Sequence, residues 1–178
     1  FKPTDLAIYR EYDRAAPLGT GRIKVGGNYA ASLVAGDRAH SNGFSAVLYL
    51  DAKEKKYLDE CGPANLFGIK NNTYVTPKSS SILPSITNMS LRQLARDMGL
   101  TVEERQIEID ELASFEEVGA CGTAAVISPI KRIYDADLDK EYVFGTEPGK
   151  VSVQLYEKLR GIQYGTEPDI HNWTEVIE

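Results

Sequence analysis

Short apolar runs of strand length, each closed by turn-forming residues, limit what this chain can fold into. Ala46-Val47-Leu48-Tyr49-Leu50 reads as a buried strand, and the charged stretch Asp51–Lys56 as a hairpin tip leading back through Tyr57–Cys61. Asn65–Lys70 and Tyr74–Pro77, joined by the turn Asn71-Asn72-Thr73, make a second hairpin. Leu6–Tyr12 and Val102–Ile109 are further strands, as is Ala124–Pro129, which runs on to Ile133-Tyr134 and a turn-rich charged loop. Helices are expected over Asn28–His40, ended by Ser41-Asn42-Gly43, and over Thr87–Met98, closed by Gly99, with Leu91, Leu94 and Ala95 on its apolar face. Asp110 reads as the cap of a short helix over Glu111–Phe115, and a last helix spans Lys150–Arg160 before a mostly extended tail from Tyr164 to Trp173. Strands and helices mix without a strict βαβ rhythm. The fold class is therefore α+β (mixed α/β) on a largely strand-made centre.

The 178 residues suit one domain with a sizeable core, and 42% hydrophobic with 26% charged residues is ordinary for a soluble globular protein. A net charge of −6 argues against nucleic acid and anionic membrane surfaces as partners. No apolar run approaches the length of a membrane span, and no signal-peptide pattern opens the chain. Cys61 and Cys121 cannot build a disulfide framework, so a reducing cytoplasm is the simplest setting. His40 and His171 have no partners at metal-ligand spacing, and no metal is expected. A P-loop, a dinucleotide fingerprint and a Ser-His-Asp signature are all lacking. Opening on Phe1, the sequence reads as a piece of something longer.

Chemistry concentrates in the stretch from Gly19 to Tyr29. Lys24 stands between Ile23 and Val25, ahead of Gly26-Gly27 and the expected helix. Apolar flanks would desolvate its amine, lower its pKa and free it to attack carbonyls. The same residues also suit a surface lysine beside a tight turn. In the helix that follows, Tyr29, Ser32, Leu33, Gly36 and Ala39 share a small-residued stripe, and Gly36 calls for close packing to offset its helix cost. Ser81-Ile82-Leu83-Pro84-Ser85-Ile86-Thr87 runs into a helix start, where free N–H groups suit a phosphate. Thr87 adds a hydroxyl there, or serves as the N-cap. Taken alone, Tyr29 reads as a half-buried aromatic at a helix start, Glu60 as a surface glutamate and Thr123 as part of a buried turn into a strand.

Together and in this order, Gly-Thr-Gly-x-x-Lys-x-Gly-Gly-Asn-Tyr, Glu60 with Asn65-Leu66-Phe67, Leu83–Thr87, Cys121-Gly122-Thr123-Ala124-Ala125 and Gln163-Tyr164-Gly165 resemble the branched-chain amino acid aminotransferases, fold-type IV enzymes that use pyridoxal 5'-phosphate. The resemblance covers Leu6 to Trp173. It implies a strand-built pseudo-barrel flanked by helices, with residues 1–178 as the large, C-terminal cofactor-binding domain and the small N-terminal domain absent from this chain. It also assigns roles. Lys24 would hold the cofactor's aldehyde and move the substrate's Cα proton, Tyr29 would bond the phenolic oxygen, and Glu60 would pair with the pyridine nitrogen. Leu83 would cover a ring face, while Ser85, Ile86, Thr87 and Thr123 would hold the phosphate. Backbone N–H groups of Thr123 and Ala124 would receive the substrate α-carboxylate.

Pro63 and Ala64 depart from the family's residues, and Ser85 stands where glycine is usual, a strain if φ must be positive. Ala125 and Ser128 replace the Cys-x-x-Cys of some relatives, so that thiol switch is not expected. A phosphate-binding arginine would lie upstream of Phe1. The implied reaction transfers the amino group of leucine, isoleucine or valine to 2-oxoglutarate, giving the 2-oxo acid and glutamate, in a homodimer. A D-amino acid aminotransferase, an aminodeoxychorismate lyase or an inactive fragment that keeps the fold also remains open.

Overall fold

Apolar strands need cover on both faces, and the computed structural model, which describes residues 1–177, supplies it. The strands are β1 (Thr4–Ile8), β2 (Ala46–Leu50), β3 (Leu58–Cys61), β4 (Ala64–Lys70), β5 (Thr73–Pro77), β6 (Thr101–Arg105), β7 (Glu117–Gly122), β8 (Val126–Asp135) and β9 (Lys140–Val143). The helices are α1 (Gly26–Ser41), α2 (Ile86–Asp97) and α3 (Lys150–Tyr164). In the nine-stranded sheet β3, β2, β1, β8, β7 and β4 follow in order, and β4 pairs back onto β3 to close a ring. β5 and β6 continue outward from β4, and β9 lies beside β8. The parallel pairs β1–β2 and β5–β6 are each bridged by a helix, α1 and α2 respectively, as parallel neighbours require.

Alternation along the strands sorts the core. Leu6, Ile8, Leu48, Leu50, Leu66, Val118 and Ile133 join one cluster. The intervening Ala7, Tyr9, Val47 and Tyr49 pack with Ala35 and Ala39 of α1. Phe67, Ile69, Tyr74 and Cys121 pack with Leu91 and Leu94 of α2 and Leu155 and Leu159 of α3. The expected apolar face of α2 is thus buried, and so is the strand Ala46–Leu50 from Val47 onward. Helices flank a closed strand ring, as the fold class expected.

Several boundaries differ from the sequence expectations. β7 carries two glycines, which lower strand propensity and hid it. A Cβ at Gly119 would meet the Phe67 ring at 2.5 Å, so glycine there serves packing. The charged loop after Tyr134 contains β9, an edge strand whose one buried residue is Tyr142. β1 ends at Ile8 rather than Tyr12, and β6 ends at Arg105 rather than Ile109. Asp110 does not cap the short helix: the 3₁₀ turn Ile109–Ser114 starts after Glu108, and Asp110 inside it accepts from Lys140 Nζ at 2.8 Å. α3 continues to Tyr164, taking that residue from the tail, and stops at Gly165 in the left-handed region (φ +71°). Gly36 meets no close neighbour, because α1 packs through Ala35 and Ala39 instead. Among the described residues no helix is long and apolar enough to cross a membrane.

Candidate active site

The loop before α1 is shaped by Asn28. Its Nδ2 donates to the carbonyls of Thr20 and Ile23, both at 2.8 Å, and its Oδ1 accepts from Thr20 Oγ1 at 2.7 Å. Those bonds hold the turn that presents Lys24, whose Nζ donates to Tyr29 Oη at 2.8 Å. Lys24 is exposed, not desolvated. Ile23 and Val25 are themselves 53% and 37% exposed and do not cover it. The reason is that α1 rests on the sheet through Ala35 and Ala39 only, so its N-terminal end stands proud of the core.

Glu60, in contrast, is 3% exposed, so it is no surface carboxylate. It faces Asn65 across the β3–β4 hairpin, which explains the spacing of these two residues. Asn65 Nδ2 donates to Glu60 Oε1 and to the carbonyl of Leu83, and Leu83 N–H donates to Glu60 Oε1, each at 3.0 Å. Leu83 is thereby held by both its backbone groups. Neighbouring Asp59 pins the same loop, accepting from Ser79 Oγ at 2.9 Å and Ser81 Oγ at 2.7 Å. Burial pushes the Glu60 carboxyl up to about 7, while Arg14, the Leu83 N–H and Lys24 favour its charged form. Arg14, read from sequence only as part of a connector, is buried with Nη1 2.8 Å from Glu60 Oε2. An arginine in a Pro- and Gly-rich connector was the available signal, and composition alone did not single it out.

Lys24, Tyr29, Glu60, Leu83 and Arg14 line one cavity of about 380 Å³, together with Leu33, Gly36 and His40. The α1 stripe of Tyr29, Ser32, Leu33 and Gly36 faces this cavity instead of a packed neighbour. Ser85 lines a second cavity of about 460 Å³, which shares Leu83 and adds Arg22, Asn65, Asn88 and Arg92. Ser85, not Thr87, is the N-cap of α2; its Oγ accepts from Asn88 N–H at 3.3 Å. Its φ of −75° is unstrained for serine. Ile86 is exposed and Thr87 buried in the first turn. Thr123 and Ala124 are exposed in the β7–β8 turn, not buried in it, and Val126 closes that turn at φ +61°, a costly conformation for a β-branched residue. Ile86, Thr87, Thr123 and Ala124 line neither cavity.

Cys61 and Cys121 are buried and their thiols are pushed up by burial, Cys121 to about 12. His40 Nε2 lies 3.0 Å from the Ser45 carbonyl, and His171 Nε2 lies 2.6 Å from Asp97 Oδ2. No group of His, Cys, Asp and Glu suited to a metal occurs among the described residues.

The amino-transferase class IV family model matches residues 2–133, a span that takes in Arg14, Lys24, Glu60, Leu83 and Thr123. This chain belongs to the class IV aminotransferases. The class IV chain is 50% identical over 168 residues to a branched-chain-amino-acid aminotransferase of Helicobacter pylori, covering 93% of this chain and 48% of that protein. It is 46% identical to the one from Haemophilus influenzae, covering 96% of this chain and 52% of the relative. Its fold superposes on the Escherichia coli branched-chain amino acid aminotransferase with a TM-score of 0.85 at 30% identity, covering 98% of this chain and 57% of that one. The branched-chain amino acid aminotransferase from Thermobaculum terrenum, solved in its PLP-form, gives a TM-score of 0.79 at 31% identity, over 96% and 54% of the two chains. The chain thus spans about half the length of the curated relatives it matches.

Proposed function

We propose that residues 1–178 form the cofactor-binding domain of a branched-chain amino acid aminotransferase, and that this domain holds pyridoxal 5'-phosphate in the cavity of Lys24, Tyr29, Glu60 and Leu83. The observation that carries the reading is the gathering of these residues around one space of about 380 Å³, a size ordinary for a small-molecule site. The donor set fits the group. An aldehyde needs a primary amine, offered by Lys24; a phenolic oxygen needs a hydroxyl donor, offered by Tyr29. A pyridine nitrogen needs a carboxylate, and Glu60 brings one already desolvated. Pyridoxal phosphate, when bound, supplies an electron sink for the charge left at the substrate Cα.

The chain's own residues would do the rest. Lys24 would hold the cofactor through its amine, and the same Nζ would serve as general base toward the substrate Cα proton. Tyr29 Oη, already bonded to Nζ, holds the phenolic oxygen beside it. Glu60 would face the ring nitrogen with its carboxylate, and Leu83 would cover a ring face. The resemblance would give the phosphate to Ser85, Ile86 and Thr87 at the start of α2 and to the hydroxyl of Thr123, where the helix N-terminus would favour it, although of these only Ser85 lines a cavity, the second one, which shares Leu83 with the first. By the resemblance, the N–H groups of Thr123 and Ala124 would bind the substrate carboxylate.

The substrates are leucine, isoleucine and valine with their 2-oxo acids, and glutamate with 2-oxoglutarate. The reading includes a cytoplasmic homodimer, with a smaller domain supplied by the remaining length of the relatives. The names of the relatives at 46–50% identity support the substrate class. A form extended to that full length, given 2-oxoglutarate, makes glutamate from L-leucine. Activity on D-alanine or aminodeoxychorismate in place of L-leucine contradicts the substrate reading.

A further inference from the structure

We propose that Arg14 is a positioning residue, whose guanidinium fixes the Glu60 carboxylate and binds the lysine loop and the Leu83 loop to it as one wall of the cavity. The consequence for catalysis rests on the cofactor reading above; the positioning itself does not.

Three segments meet at this one side chain. Nη1 lies 2.8 Å from Glu60 Oε2 on β3. Nη2 donates to the carbonyl of Gly21, at 3.3 Å, in the loop that carries Lys24. It also donates to the carbonyl of Ser81, in the loop that carries Leu83. The other Glu60 oxygen accepts from Leu83 N–H and Asn65, so the carboxylate is held from both sides. The approach of the two loops is tight enough to need glycine: a Cβ at Gly21 would stand 2.3 Å from the Ser81 carbonyl oxygen and 3.0 Å from Arg14 Nη2.

The electrostatics give the arrangement a purpose. A cation that is 8% exposed is costly to bury, and Arg14 Nε is buried with no hydrogen-bond partner among the described residues. Packing alone would select an apolar residue here. What Arg14 provides is a charge against Glu60, whose burial otherwise favours the protonated acid. The charged groups facing Glu60 are Arg14, Asp59 and Lys24; Asp59 opposes ionisation, and Lys24 favours it less than Arg14 does. Without Arg14 the balance would shift further toward the neutral acid, which cannot balance a positive ring nitrogen. A lysine could restore the charge, but not the flat fork that reaches three acceptors at once.

The test titrates the Glu60 side-chain carboxyl by carbon NMR in this chain without cofactor, in wild type, Arg14→Met and Arg14→Lys. Amide exchange is followed at Gly21 and Leu83. Arg14→Met should raise the Glu60 midpoint by about one to three pH units. Arg14→Lys should keep much of the midpoint yet speed exchange at Leu83 about tenfold or more, through loosening of the clamp. A folded Arg14→Met with an unmoved midpoint overturns the inference. Should Arg14→Met fail to fold, unchanged exchange in Arg14→Lys overturns it equally. Wild-type protein that gains no absorbance with added pyridoxal phosphate would sink the cofactor reading and leave these two outcomes standing.

Discussion

Lys24 Nζ and Tyr29 Oη lie 2.8 Å apart across the start of α1, and both residues are exposed. A flexible amine is therefore held in place by its neighbour, not by a surrounding core.

Removing that bond tests its worth. Tyr29→Phe keeps the ring and deletes the hydroxyl, a loss of about 0.5–1.5 kcal/mol for a single hydrogen bond. Cofactor affinity should fall by about twofold to tenfold, with the circular dichroism unchanged. An affinity equal to wild type would mean that the Tyr29 hydroxyl does not contribute to the site.

Two carboxylates should give opposite pH slopes. Burial raises Glu60 from 4.5 to about 7, so in that window the folded chain keeps a proton that the unfolded chain has released. Stability then falls as pH rises from about 4.5 to about 7, by roughly 3 kcal/mol, and is level above. Glu111 is held down at about 2 by its hydrogen bonds to Arg105 and Lys70. Its contribution is present above about 4.5 and lost as pH falls toward 2, on the order of 1–2 kcal/mol after solvent screening. Urea unfolding across pH should therefore show Glu60→Gln gaining on wild type from pH 4.5 to 7, and Glu111→Gln losing its deficit in acid. Parallel curves for wild type and Glu60→Gln would place Glu60 in a solvated setting.

How much of this was legible varies with the kind of signal. The hairpins of Ala46–Leu50 with Tyr57–Cys61 and of Asn65–Lys70 with Tyr74–Pro77 were readable because apolar runs and turn residues bracket them, whereas the pairing of Glu60 with Asn65 between them was not read. β7 was not, since glycines chosen for packing under Phe67 look like turn residues in one dimension. Lys24 was misread as desolvated because apolar flanks show hydrophobicity, not where the helix behind them touches the sheet. Arg14 could not be found, since its partners on β3 and in the Ser81 loop lie far along the chain. The resemblance supplied the roles of Ser85, Ile86, Thr87, Thr123 and Ala124, and in the structure none of these lines the Lys24 cavity.

Glycines on the two sides of that cavity should respond in opposite ways. Gly21→Ala forces a methyl to 2.3 Å from the Ser81 carbonyl oxygen and should cost about 1–3 kcal/mol. Gly36 lies inside α1 with open space where a Cβ would sit, so Gly36→Ala should stabilise by about 0.5–1 kcal/mol. Denaturant midpoints measure both. Equal effects of the two substitutions would contradict the close approach of the loops.

The most direct measurement is chemical. This chain, incubated with pyridoxal 5'-phosphate and reduced with borohydride, should carry the phosphopyridoxyl group on Lys24, located by peptide mass spectrometry. Lys24→Ala should take up none at any defined site while keeping its fold. Labelling spread over surface lysines, or undiminished specific labelling in Lys24→Ala, would contradict the assignment of this cavity as the cofactor site.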